Sequence, residues 1–233
     1  MARRRVDGRE YSREPIRDRW ATFDCYGTLI DWEGGLRGAF ESLWPRAEPD
    51  RLLRLHHAVE PLVEEQRELL YRDVLARCLA AVAAIDGLDV PEGGEDALAQ
   101  SLPSWPPFPE VSGALAELRE RGWRLAILSN TDPELLATSV EAIGVPFDAL
   151  ITAAEAGSYK PAPGHWERFF AVTGADRGCH VHVGASLFHD IEPADRLHLR
   201  AVWINRLGES SEIPRAAELR DLSRLADVVD ELL

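Results

Sequence analysis

Trp20-Ala21-Thr22-Phe23-Asp24-Cys25-Tyr26-Gly27-Thr28-Leu29 is the stretch on which the fold turns. A short, mostly apolar run stops at an acid, and a glycine follows three positions later. Such a run reads as a buried strand, and the residues after it as the turn that leaves the strand's carboxyl end. A carboxylate placed there points into a cleft, where Asp24 could serve as a nucleophile that splits one hard displacement into two easier steps. The alternative is an aspartate that merely caps a turn or helix.

The same pattern recurs along the chain. Trp123 to Leu128 ends at Ser129, Asn130 and Thr131, Ala149 to Thr152 follows Phe147, Val181 to Gly184 ends at Ala185 and Ser186, and Ala201 to Ile204 ends at Asn205. Amphipathic helices over Pro109 to Arg121, Pro133 to Ile143 and Pro163 to Thr173 fall between these runs, with Pro133 and Pro163 suited to a first helical turn. Five strands alternating with helices predict an α/β fold with a doubly wound parallel sheet. Ligands of such sheets bind at the carboxyl ends of the strands, where Asp24, Ser129 and Asp190 fall.

From about Gly35 to Trp105 the rhythm breaks, because helical periodicity continues through Leu52, Leu53, Leu55, Val59, Leu62 and Val63, then Leu69 to Val82, with no strand pattern. This interval reads as an inserted helical cap over 35–105, with the α/β core formed by 1–34 and 106–233. The apolar stripe from Leu52 to Val63 could pack on the core or on a second subunit, which leaves a homodimer open.

The composition limits the partners. The chain has 233 residues, 45% hydrophobic and 28% charged, with a net charge of -14. That charge should repel nucleic acid and anionic membranes, so a small diffusible substrate is expected. The basic run Arg3, Arg4, Arg5 is partly offset by Asp7, Glu10 and Glu14 and reads as a solvated tail. No segment approaches the roughly 18 apolar residues of a membrane span. Three scattered cysteines, Cys25, Cys78 and Cys179, suggest neither a disulfide framework nor zinc, and point to a reducing cytoplasm.

Of 26 lysines and arginines, one is a lysine, Lys160, in Gly157-Ser158-Tyr159-Lys160-Pro161. A compact ammonium kept where every other fixed positive charge is a guanidinium suggests a site that a fork does not fit. The alternative is a lone surface lysine left by coding bias.

FDCYGTL over Phe23 to Leu29, LSNT over Leu128 to Thr131, YKP over Tyr159 to Pro161 and VGASLFHD over Val183 to Asp190 occur in the order of the four signatures of the haloacid dehalogenase superfamily, and the chain resembles that family over nearly its whole length. The resemblance implies a doubly wound sheet, a mobile helical cap and a first-motif aspartate, Asp24, that forms a covalent intermediate. Thr28 would support its carboxylate by hydrogen bonding. Ser129 and Asn130, before a helix start, suit an anionic substrate group, although Asn130 or Thr131 could simply cap the helix. Lys160 would neutralise Asp24 and substrate charge while keeping the nucleophile ionised. Asp190 would orient Lys160 or help to position the hydrolytic water, with a cap before Pro193 as the alternative. His189 beside it is tempting as a base, although neighbours in a turn usually point apart. Cys25 is expected to pack away from the cleft.

Two residues after the nucleophile, superfamily phosphatases have a second aspartate to protonate a leaving alkoxide. Here it is Tyr26, and a phenol with a reference pKa of about 10 is a poor substitute. A halide needs no proton to leave. Ala185 also stands where the phosphatases have an aspartate, so Mg²⁺ held by Asp24, Asp190 and the backbone oxygen of Tyr26 is possible under a phosphatase reading but not required. The first motif is thus most similar to the metal-independent L-2-haloacid dehalogenases, which act at carbon of a small carboxylic acid.

Other positions depart from that subgroup. Its enzymes cradle the halide with a cap arginine, for which Arg37, Arg51, Arg54 and Arg67 are candidates. They have a tyrosine where this chain has Trp166, and a serine and an asparagine where it has Ala185 and Leu187. A Mg²⁺-dependent phosphatase and a non-catalytic binding protein with the same fold remain the alternatives.

Overall fold

The computed structural model describes residues 18–65 and 69–233, so the basic run Arg3 to Arg5 and the candidate Arg67 lie outside the described residues. Six parallel strands form one sheet: β1 (Arg19–Phe23), β2 (Trp123–Ser129), β3 (Ala149–Thr152), β4 (His180–Gly184), β5 (Arg200–Ile204) and β6 (Ala217–Leu219), in the order β3-β2-β1-β4-β5-β6. The sixth strand is an addition to the five expected. Ala217-Glu218-Leu219 is too short and too little buried to stand out as an apolar run, and it pairs only at the sheet edge.

β1 is nearly continuous in buried residues because both of its faces are covered, as parallel sheets require. Phe23 pairs in register with Ile127 on one side and Val183 on the other. The strand order reverses at β1, so connections leave it in opposite directions and open a crevice at the carboxyl ends of β1, β2 and β4.

Helices α1 (Trp32–Leu43), α2 (Pro49–Glu64), α3 (Tyr71–Asp86) and α4 (Ala97–Ser101) fill the chain between β1 and β2, followed by α5 (Val111–Glu120). Next come α6 (Pro133–Ile143), α7 (Ala153–Ala156), α8 (Gly164–Thr173), α9 (Glu192–Arg196) and α10 (Leu225–Leu232). One apolar core runs from the sheet into α1–α4 through Leu36, Phe40, Leu75 and Trp105; a second, around Trp20, Trp166, Phe169 and Trp203, covers the opposite face. Of the two ways the α2 stripe could pack, on the core or on a second subunit, the structure turns most of it inward on the core. Leu52 and Leu53 are buried, and Leu62 alone of that set stands out, at 63% exposure.

None of the three cysteines is paired, and Cys25 and Cys78 are buried. No helix among the described residues is long and apolar enough to cross a membrane.

Candidate active site

Asp24 leaves the end of β1 with its backbone N–H donating to Val183 O at 2.9 Å, which holds it against the neighbouring strand. The chain then turns through Gly27 at φ +86°, and Gly27 N donates to Ile30 O at 2.8 Å. The turn returns Thr28 beside the aspartate: Thr28 Oγ1 donates to Asp24 Oδ2 at 2.8 Å and accepts from Ala185 N at 2.9 Å. Thr28 is fully buried and fixes the Asp24 carboxylate instead of facing the cleft.

Lys160 lies between two acids. Its Nζ donates to Asp24 Oδ1 at 2.8 Å and to Asp190 Oδ1 at 2.7 Å, and its side chain is 1% exposed. Burial opposes its charge, but the two carboxylates more than offset this and hold the ammonium protonated far above neutrality. Asp24 is raised above the usual carboxylate range, chiefly by burial and then by the charge of Asp190, against the pull of Lys160 and Thr28. Asp190 is also desolvated, yet Lys160 and His182 carry it well below that range. The pair is therefore unequal: Asp190 anchors the ammonium, and Asp24 is the more basic acid.

Asp190 sits on a π-helical turn, Leu187–Ile191, a geometry often found at functional sites. It approaches β4 so closely that a Cβ on Gly184 would lie 2.5 Å from its side-chain carbons, so only glycine fits there. Its Oδ1 receives Lys160 and faces His182 Nε2 at 3.3 Å, while Oδ2 accepts from Ser186 N at 3.2 Å. His182 continues through Thr22 Oγ1, at 2.9 Å from Nδ1, to His180 Nε2 at 2.8 Å. This buried chain was missed in the sequence, although the alternation His180-Val181-His182 in an apolar strand puts both imidazoles on one face.

Asn130 is engaged locally. Its Oδ1 accepts from Lys160 N at 2.7 Å, and its Nδ2 donates to Lys160 O and to Glu64 Oε1, both at 3.1 Å. It clamps the backbone that carries the ammonium. Ser129 ends β2 on the cleft wall, and its carbonyl faces His165 Nε2 at 3.0 Å. Tyr26 also lines the cleft, but its hydroxyl is 2.9 Å from Ser139 Oγ, and burial raises its pKa far above a phenol's ordinary value. Cys25 is buried, and its thiol is raised by burial and by Asp24. Trp166 is core: it packs edge-on against His182 at 5.1 Å between ring centroids and does not reach the cleft.

The cleft has a volume of about 470 Å³. Its floor carries Asp24, Lys160 and Ala185, and its far wall is supplied by α1 and α2 through Trp32, Glu33, Glu60 and Glu64. Glu60 is buried and accepts from Tyr71 OH at 2.8 Å; desolvation, then the charge of Glu64, raises it to about 8. Glu64 Oε2 faces His189 Nε2 at 3.2 Å. These α2 carboxylates went unnoticed in the sequence, where α2 offers only glutamates at helical spacing.

No arginine of the helical interval 35–105 reaches the cleft among the described residues. Arg37 pairs with Asp50, Arg51 pairs with Asp86, and Arg54 is exposed. The arginine that does line it is Arg206, just beyond β5. Its guanidinium lies 3.5 Å over the Phe108 ring and donates to Thr28 O at 2.8 Å and to Glu110 Oε1 at 2.7 Å.

The oxygens considered for Mg²⁺ do not form a ligand set here. The Lys160 ammonium occupies the space between the Asp24 and Asp190 carboxylates, and Asp190 is fully buried among protein donors. Among the described residues, no group of three or more His, Cys, Asp or Glu side chains is placed to hold a metal ion.

Residues 19–198 match the model of the haloacid dehalogenase-like hydrolase family. The chain belongs to this family. It is similar to haloacetate dehalogenase H-2 of Moraxella sp. (strain B), with 33% identity over 193 residues, covering 80% of this chain and 85% of that protein. The (S)-2-haloacid dehalogenase of Pseudomonas sp. (strain YL) is 32% identical over 195 residues, covering 82% of this chain and 84% of its own. The crystal structure of the L-2-haloacid dehalogenase RSc1362 superposes with a TM-score of 0.82 at 25% identity, covering 92% of this chain and 99% of that one. Within the haloacid dehalogenase-like hydrolases, this chain's relatives thus include dehalogenases, and the six-stranded parallel sheet agrees with the family's fold.

Proposed function

We propose that this hydrolase displaces halide from C2 of a small 2-haloacid. Asp24 attacks the carbon, an ester forms, and water then releases the 2-hydroxy acid. The observation that carries the reading is the state of Tyr26. Its phenol is held by Ser139 and shifted away from proton release, so the position two residues after the nucleophile offers no acid to a leaving alkoxide. A halide leaves without one. The named dehalogenase relatives support the same reading over a phosphatase.

In this scheme Lys160 holds Asp24 in place and offsets the charge of the incoming acid. Asp190 and Asn130 position Lys160, while Ser129 and Arg206 face the substrate. Helices over 35–105 serve as the cap, and closure over the cleft excludes water during the first step. The three unpaired cysteines support a cytoplasmic setting.

The test is halide release from 2-chloropropionate and 2-bromopropionate in EDTA. Wild type should release halide and Asp24→Asn should release none. Silence from both would send the search to phosphate esters with Mg²⁺.

A further inference from the structure

The cleft is larger than the proposed reaction needs. At roughly 30 Å³ per non-hydrogen atom, the share of a water molecule in the liquid, the six such atoms of 2-chloropropionate fill about 180 Å³. The cavity has about 470 Å³, a size that suits larger ligands. Its lining is also unequal along the strand ends. On the β2 side of Asp24 it carries Ser129, Asn130 and Thr131, whereas on the side of β4 and β5 it carries Ala185, Leu187, Phe188, Ile204 and Leu207.

Phe188 and Leu207 are 47% and 62% exposed, yet each is carried by a hydrogen-bonded loop. Ser186 Oγ accepts from His189 N at 3.0 Å and closes the turn that bears Phe188. Asn205 Nδ2 donates to Glu209 O at 2.9 Å while its Oδ1 accepts from Glu209 N at 2.8 Å. The loop between them turns at Gly208, φ +70°, and has Leu207 at its tip. Trp203 Nε1 donates to Ala185 O at 2.9 Å, which ties the bases of the two loops together. The polar neighbours on this side are engaged: Asn205 also donates to Glu218, and Arg206 is paired with Glu110 and stacked over Phe108. Pro61 of α2 joins the same lining from the far wall. Large apolar side chains left uncovered at the mouth of a cleft, on loops built to hold them there, mark a binding surface.

We infer that the side of the cleft at β4 and β5 is a subsite for an apolar substituent on C2 of the 2-haloacid, so that this chain selects acids with a side chain of several carbons over the shortest ones. This rests on the 2-haloacid reading proposed above and names the substrate class within it. The strand order is β2-β1-β4-β5, with Asp24 at the end of β1. When the reacting carbon sits at Asp24 and the polar end of the acid faces Ser129 on β2, the strand ends left for the substituent are those of β4 and β5. There Leu187, Phe188 and Leu207 lose water when a chain of methylenes lies across them. This burial is the same before and during the displacement, so it lowers KM and leaves kcat unchanged.

The experiment is steady-state bromide release from 2-bromo acids of increasing length, 2-bromopropionate to 2-bromohexanoate, by wild type, Phe188→Ala and Leu207→Ala, with molecular mass followed by light scattering. Each added methylene should raise the wild-type kcat/KM by about two- to fourfold, the upper figure corresponding to full burial, and should do so through KM. In both variants the ratio of kcat/KM for 2-bromohexanoate to that for 2-bromopropionate should fall by about threefold or more. Both side chains are exposed, so their removal spares the fold, and the wild-type series tests the subsite without them. A wild-type kcat/KM that stays level or falls with chain length would overturn the subsite, as would variants that slow every acid equally. A changed molecular mass in the variants with that ratio unmoved would assign the patch to contact between copies of the chain instead. Wild type that releases no bromide from any member of the series would remove the 2-haloacid reading, and the subsite with it.

Discussion

The two walls of the cleft are built on opposite electrostatic plans. On the sheet side, one ammonium is shared by two acids within 2.8 Å, and each acid has a further hydrogen bond from Thr28 or Ser186. On the side of α2, Glu60 and Glu64 are both buried, no ion pair with a lysine or arginine holds either among the described residues, and Glu60 gives up its charge instead. The first wall pairs its charges around Lys160. The second is balanced between states, and it touches the first through Asn130 and His189. Charges are thus tied to one lysine on the sheet side, the locked wall, and left adjustable on the side of α2.

Breaking the locked wall should have the largest effect. Lys160→Met leaves two buried carboxylates facing each other, so about 3–5 kcal/mol of stability should be lost together with all turnover, measurable by urea unfolding and halide assay. Thr28→Val is milder. It removes the donor to Asp24 and the acceptor for Ala185 N, at a cost of about 1–3 kcal/mol, and should lower kcat more than it raises KM.

The adjustable wall should respond in the opposite direction. Glu60 binds its proton up to about pH 8 in the folded protein, above its ordinary value near 4.5. The folded state thus holds a proton that the unfolded chain releases. This contribution to stability is complete below the ordinary value and fades as pH rises through about 8. Glu60→Gln should flatten that decline, so its Tm should exceed that of wild type in alkaline buffer and converge with it in acid. A wild-type Tm with no such slope would remove the contrast between the walls. The smallest effect is expected at Leu62: it is 63% exposed, and Leu62→Ser should change stability within about 0.5 kcal/mol while leaving the oligomeric state in sizing columns unchanged.

Much of the sheet wall could be read in advance because its parts lie at strand ends marked by short local patterns. Asp24 follows an apolar run, Ser129 ends another, and Lys160 is the single lysine. His182 gave a weaker signal, since a histidine in an apolar strand has no partner until the strands are assembled. Glu60 and Glu64 gave none, because glutamates at helical spacing usually belong to a solvated face. Arg206 was passed over in favour of arginines in the helical interval, of which Arg37 and Arg51 pair with Asp50 and Asp86.

The sequence by itself determined the alternation of strands and helices, the inserted helical interval and the acids and ammonium at the strand ends, since each depends on residue type and local periodicity. Only the tertiary structure decided which acid keeps Lys160, that Tyr26 is tied to Ser139, and that an α2 glutamate meets His189. Those outcomes depend on burial and on distances between residues up to 136 positions apart, as Asp24 and Lys160 are. Desolvation and charge pairing act through space, and a linear pattern does not record which groups they bring together.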